Sequence, residues 1–232
     1  MIPDNLSQAV QQFSVWILPL VLAITLHEAA HGFVALRFGD DTALRMGRVS
    51  ANPLRHVDPF GTLILPALLL LASGGRAAFG WAKPVPVDFG RLRPPRLGMA
   101  VVGAAGPATN IILAILSALI LSALLSSLTI IPVAARQWIV LNLNNSVEIN
   151  LILAVFNMIP LPPLDGGRVA VGLLPWRYAI ALQRTERYTL VLLMLAMFIL
   201  PMVGLNVLGW VVGVPVSYLM DLVYHATGVG LS

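Results

Sequence analysis

Val21-Leu22-Ala23-Ile24-Thr25-Leu26-His27-Glu28-Ala29-Ala30-His31-Gly32-Phe33-Val34-Ala35-Leu36-Arg37 lies inside an apolar run that extends from about Phe13 to Phe38. A helix needs roughly 20 apolar residues to cross the hydrocarbon core of a bilayer, and this run supplies them. Three ionisable side chains, His27, Glu28 and His31, interrupt its interior. Such groups are costly at membrane depth and mark function more often than packing. His27 and His31 are four residues apart, so at 3.6 residues per turn they sit about 40° apart on one helical face and both imidazoles can reach one ion. The H-E-x-x-H order adds Glu28 beside them, the arrangement in which two histidines bind zinc and the glutamate serves as general base. The plainer alternative is that the three side chains satisfy one another between helices.

Composition sets the class. Of 232 residues, 58% are apolar and 10% are charged, whereas a soluble domain typically has about 25% charged residues to cover its surface. The net charge of +4 would suit a nucleic-acid partner only if it formed a basic patch facing water, but the arginines fall in short loops between apolar runs. Without cysteine, the chain has no disulfide and offers a transition metal only nitrogen and oxygen ligands. The first run has no basic flank or small-residue cleavage site before it, so it is read as a retained helix rather than a signal peptide.

Four stretches qualify as spans, at about 13–37, 97–127, 138–160 and 188–215. The third is crowded near its start by Asn142, Asn144, Asn145 and Glu148, so its membrane part is expected to begin near Val147. A fifth apolar stretch, 62–72, is short and contains Pro66. Basic residues follow the first span (Arg37, Arg45, Arg48, Arg55), precede the second (Arg76, Lys83, Arg91, Arg93, Arg96) and link the third to the fourth (Arg168, Arg177, Arg184, Arg187), whereas Arg136 alone falls on the other side. The positive-inside rule places those loops in the cytoplasm and both termini outside, and it makes 62–72 a re-entrant or packed segment. The expected fold is an all-α membrane protein, a polytopic transmembrane bundle forming one domain over 1–232. The alternating, proline-containing stretch Trp81–Val87 adds the possibility of a small membrane-associated β-hairpin in the segment 80–95.

A catalytic zinc site needs three protein ligands. The stretch Asn157-Met158-Ile159-Pro160-Leu161-Pro162-Pro163-Leu164-Asp165-Gly166-Gly167 closes the third span, and its prolines should end the helix and open the backbone. Irregular backbone at membrane depth survives where it is buried in protein or lines a cavity. Asp165 closes that segment and is the candidate third ligand, with two glycines after it for close approach. It also suits the N-cap of a short helix from Gly166 to Leu174, and the two roles are compatible. Gly98, Gly103 and Gly106 form a small-residue face on the second span, on which Asn110 needs a hydrogen-bond partner.

These motifs, in this order, resemble the site-2 protease family of intramembrane zinc metalloproteases, peptidase family M50. His27, Glu28 and His31 match its H-E-x-x-H, Asn157 through Gly166 match its N-x-x-P-x-x-P-x-D-G, and Gly106 with Asn110 match its G-x-x-x-N. Asn52–Pro59 and Gly80–Val87 resemble the compact bacterial and archaeal branch, and no stretch has the size of a PDZ or CBS domain. The resemblance implies one zinc ion held by His27, His31 and Asp165, with Glu28 as the base. It implies transmembrane or membrane-associated proteins as substrates, and a multi-pass protein of a prokaryotic inner membrane with its site toward the cytoplasm. It also suggests that Asn110 supports the zinc-binding helix. Asn157 is a candidate donor to the oxyanion of a tetrahedral intermediate, or makes a structural bond.

Other readings remain open. A prenyl-processing type of membrane metalloprotease takes its third ligand from a later glutamate, and the downstream candidates, Glu148 and Glu186, fall at span ends on opposite sides. A metal transporter would show ligands along several spans and repeat symmetry, and a pseudoprotease would have lost Glu28. His56, in a proline-flanked turn with Asp58, is expected to bond locally rather than to bind zinc.

Overall fold

The computed structural model describes residues 4–56, 58–64, 68, 83–125 and 132–229, and for 4–13, 59, 62, 63 and 134 it describes the backbone alone. Among the described residues, eight α-helices follow in order: α1 (Asp4–Arg37), α2 (Thr42–Arg45), α3 (Pro95–Leu125), α4 (Val133–Asn157), α5 (Asp165–Leu173), α6 (Trp176–Gln183), α7 (Glu186–Met194) and α8 (Val214–Thr227). Among the described residues, four helical segments are long and apolar enough to cross a membrane: Ser14–Arg37, Pro95–Leu125, Ala135–Asn157 and Glu186–Val203. The protein is an all-α integral membrane protein.

α1, α3 and α4 form the centre. α1 and α4 run in the same direction, with Trp138 Nε1–H donating to Ser14 Oγ at 2.9 Å and Asn145 Nδ2–H donating to the Val15 carbonyl at 2.9 Å. α3 runs the opposite way between them: its Val102 lies level with His31, its Asn110 with His27, and its Ser117 with Ser146 of α4. These directions gather the basic residues that follow α1, precede α3 and follow α4 at one end of the bundle, and leave Arg136 at the other.

The polar start of the third span is helical, and each asparagine there makes at least one hydrogen bond. Asn142 donates to the Trp138 carbonyl at 2.9 Å, and the Tyr224 hydroxyl donates to Asn144 Oδ1 at 3.0 Å. α4 begins at Val133, so the helix extends well before Val147. The fourth span differs more. Its helix loosens into wide π-type turns at Leu195–Ile199, tightens at Leu200–Val203 around Pro201, and stops at Gly204, whose φ of 83° is left-handed. A new segment, Gly209–Gly213 followed by α8, then packs antiparallel along α4. Leu208 borders Phe156 at one end, and Tyr224 meets Asn144 at the other. Val216 and Val223 of α8 close a core with Val147 and Leu151 of α4 and Ala114 and Ala118 of α3.

The segment 62–72 lies largely outside the described residues, as do Trp81 and Ala82. No strand occurs among the described residues, so the β-hairpin expected in 80–95 is not found. From Lys83 to Asp88 the chain is an irregular strap whose N–H groups are committed elsewhere. Lys83 N–H donates to the His56 carbonyl at 2.8 Å, Val85 N–H to Glu28 Oε2 at 2.7 Å and Asp88 N–H to Asp40 Oδ2 at 2.7 Å. Pro84 and Pro86 have no N–H to offer a ladder. Burial would raise the pKa of Asp40, but donors from Thr42 and Asp88 and the nearby Arg91 charge outweigh it and hold the carboxyl below its ordinary range.

Candidate metal centre

His27 and His31 project from α1 onto α3, where Gly106 makes room for them. A Cβ at Gly106 would lie 2.5 Å from His27 Cε1 and 2.5 Å from His31 Nε2. Asp165, the first residue of α5, arrives from the other side. It does so because the chain after Asn157 turns tightly through Leu161 and Leu164 and folds back over Gly166 and Gly167. A Cβ on Gly166 would collide with the Met158 carbonyl, and one on Gly167 with the Pro162 backbone. Gly103 admits α5 to α3 in the same way, with a Cβ there falling 3.0 Å from the Asp165 carbonyl oxygen. The small-residue face of α3 thus receives the two histidine rings and the helix that carries the aspartate. Asp165 does not cap α5: Leu164 holds the N-cap position without a side-chain bond.

The three side chains are buried, and one ligand atom from each lies within 4.8 Å of the others. His27 Nε2 and His31 Nε2 are 3.1 Å apart, and Asp165 Oδ2 is 3.1 Å from the first and 3.3 Å from the second. His31 Nδ1–H donates to the Val102 carbonyl at 2.7 Å, and His27 Nδ1–H donates to Asn110 Oδ1 at 2.6 Å. A neutral imidazole has one N–H, so both Nε2 atoms point lone pairs at the carboxylate. Asp165 Oδ2 is correspondingly buried without a hydrogen-bond partner. Three acceptors facing one point repel one another unless a cation stands between them. Zinc bonds of about 2.0–2.1 Å in a tetrahedron place ligand atoms about 3.3–3.4 Å apart, close to the spacing found, and imidazole and carboxylate are zinc donors. The donor set fits zinc.

Glu28 stands beside this cluster, half-buried, with Oε2 accepting the Val85 N–H. Gly32 lets the strap close on α1, since a Cβ there would meet Val85 and Val49 at 3.1 Å. Asn110 lies behind His27, and its Nδ2–H donates to Asn150 Oδ1 at 2.8 Å. Asn157 is turned onto its own helix and donates one amide hydrogen to the Leu153 carbonyl at 3.0 Å. His56 is buried apart from the cluster, its Nε2–H donating to the Ser50 carbonyl at 2.9 Å. Among the described residues, His27, His31 and Asp165 form the one group of this kind. The carbonyl of Val102 and the N–H of Val85 are backbone groups, to which side-chain identity gives no clue. Asn150, a buried amide in a span, did carry a signal, because such a group needs a partner.

A membrane-length helix that brings two histidines to a buried aspartate, with a glutamate beside them, is the arrangement expected of a membrane-embedded metalloprotease. The comparisons agree. The model for "Peptidase family M50" matches residues 15–146 and 129–201, and the chain belongs to that family. It is 36% identical over 190 residues to the "Putative zinc metalloprotease YwhC" of Bacillus subtilis (strain 168), covering 80% of each chain. It is 32% identical over 202 residues to the "Putative zinc metalloprotease Rip2" of Mycobacterium tuberculosis (strain H37Rv), covering 87% of this chain and 71% of that one. No solved structure matches the chain significantly. The protein is an intramembrane zinc metalloprotease.

Proposed function

We propose that His27, His31 and Asp165 hold the zinc ion, that Glu28 is the general base, and that the enzyme cuts transmembrane or membrane-associated proteins near the cytoplasmic face of a prokaryotic inner membrane. The convergence of three lone-pair atoms, one of them an orphaned buried carboxylate oxygen, carries this reading. Zinc held there would supply Lewis acidity, the chemistry that makes a water acidic and a carbonyl electrophilic. Glu28 Oε2 is held by the Val85 N–H, which leaves Oε1 to take a proton from an attacking water and later pass it to the leaving amine. The Val85 bond keeps the carboxylate from rotating between the two transfers. Asn157 retains a second amide hydrogen beyond the one given to Leu153, and support of the oxyanion would use it. A substrate helix must unwind to expose its carbonyl, and its freed backbone groups need new partners in lipid.

The deciding experiment incubates the purified chain with labelled single-span peptides, with and without a zinc chelator, beside a Glu28→Gln variant. Chelation should abolish cleavage. Glu28→Gln should retain zinc and reduce the rate by about 10⁴-fold or more, since one group serves both proton transfers. Parent-like cleavage by that variant would remove Glu28 from the mechanism, whereas a parent protein that binds zinc but cleaves no substrate would favour a metal-binding holder of clients. The topology rests on the basic residues gathered at one end of the bundle. Reporters fused after Arg48 and Arg93 should both read cytoplasm, and one after Ser232 should read the opposite side. Opposite readings for the first two would make 62–72 a crossing.

A further inference from the structure

We infer that Asn150 is a positioning residue for the metal centre: acting through Asn110, it dictates which nitrogen of His27 carries the proton and so keeps Nε2 free for a metal ion. The inference rests on the proposed role of His27 as a ligand.

The chain of reasons starts at the Ser146 carbonyl, which can only accept. One end of the Asn150 amide lies 2.8 Å from it and must therefore be the NH₂. Asn150 Oδ1 is then turned toward Asn110, 2.8 Å away, and requires a donor there. Asn110 presents its NH₂, as the Ala23 carbonyl at 3.4 Å from the same nitrogen also demands. That leaves Asn110 Oδ1 facing His27 Nδ1 at 2.6 Å, where only an N–H can meet it. With its one proton at Nδ1, the neutral ring has a bare Nε2. Asn110 and Asn150 are 0% and 1% exposed, so bulk water cannot replace either partner.

His31 needs no such relay. Its Nδ1–H meets the Val102 carbonyl directly, and a carbonyl admits only one answer. Asn110 is different, because an amide can present either end. Flipped, it would offer NH₂ to His27, push the ring proton to Nε2 and place an N–H where the metal should bind. Asn150 removes that choice through the shorter bond, 2.8 Å against 3.4 Å to the Ala23 carbonyl. The plainer role for the same bonds is a polar contact holding α3 to α4, and the test must separate the two.

The full chain in detergent is labelled with ¹⁵N-histidine, and the His27 resonances are assigned by difference from His27→Ala. The metal-free parent should show His27 protonated at Nδ1. Asn150→Leu should show a mixture of the two tautomers and a zinc affinity, measured by chelator competition, lower by about 10–100-fold, as is typical when the partner behind a ligating histidine is lost. Asn150→Ala reads the same quantities without added bulk should the leucine variant not fold. Asn150→Asp, neutral at this buried site, can donate its O–H to the Ser146 carbonyl, keeps an oxygen facing Asn110 and should restore both the tautomer and the affinity. Asn145→Leu removes an equally placed asparagine that ties α4 to Val15 outside the relay, and should change neither. A parent protonated at Nε2, an unchanged tautomer in Asn150→Leu, a lost Nδ1–H in Asn150→Asp, or an equal zinc loss in Asn145→Leu would each overturn the inference. Full zinc affinity in His27→Ala would instead sink the ligand assignment on which it rests.

Discussion

Ser14–Arg37 and Glu186–Val203 have nearly equal mean hydropathy, and either could cross a bilayer, yet 33% of the first is buried inside the protein against 6% of the second. The first is held by polar bonds along its whole length: Ser14 to Trp138, Val15 to Asn145, His27 to Asn110, His31 to Val102 and Glu28 to Val85. The second has small, separate contacts and turns Leu190, Val191 and Leu192 outward, each more than half exposed. Hydropathy measures whether a segment tolerates lipid, not whether it packs. Chemistry needs side chains held within a fraction of an ångström, and only the first span provides that restraint. Substitutions should therefore fall steeply in effect from the first span's contacts to the fourth span's surface.

The comparison is sharpest at the cluster itself. Asp165→Asn replaces an anionic oxygen with a neutral amide at the point where two lone pairs already converge. Zinc affinity should fall by more than the roughly 10–100-fold that loss of a supporting partner produces, and activity should fall with it. Metal analysis beside peptide cleavage checks this. Full zinc occupancy in the variant would mean that Asp165 is not the third ligand.

Gly106→Ala comes next, and its sign is informative. In an ordinary helix, alanine replacing glycine stabilises by about 1 kcal/mol. Here the new Cβ would sit 2.5 Å from both rings, and overpacking of that kind costs about 1–3 kcal/mol. Thermal unfolding with bound zinc should show destabilisation, accompanied by weaker zinc binding. A stabilised variant would show that the rings have room to move, and the contrast between the two spans would weaken.

How much of this could be read beforehand depended on whether a group's partner was local. His27, Glu28 and His31 were legible because one helix turn places them together, and Asp165 because prolines isolate it at the end of a span. The partners of Asn142, Asn144 and Asn145 could not be read from the sequence, because Trp138, Tyr224 and Val15 meet them only once the helix and its neighbours have formed. The alternation around Val85 suggested a strand, but a strand needs a neighbour, and these N–H groups answer Glu28, Asp40 and His56 instead. Pro201 and Gly204 were visible as breakers, yet an apolar run hides a turn from any scale that counts only polarity. The antiparallel return of α8 along α4 followed from that turn and was missed with it.

The smallest effect is expected on the fourth span, and it tests the comparison from the other side. Leu192 is 53% exposed. In water, truncating a buried leucine costs about 2–5 kcal/mol because apolar surface is uncovered and a cavity remains. A leucine that faces lipid loses neither: the acyl chains are as apolar as the side chain and flow into the space. Leu192→Ala should therefore leave zinc content unchanged and shift stability by no more than about 0.5 kcal/mol, as for an unconstrained surface site. Thermal unfolding in lipid nanodiscs, with the parent alongside, is the measurement. A loss of about 2 kcal/mol or more would mean that this face is covered by protein in the membrane. The low burial of Glu186–Val203 would then describe one chain taken alone, and the steep gradient between the two spans would have to be redrawn for the assembled enzyme.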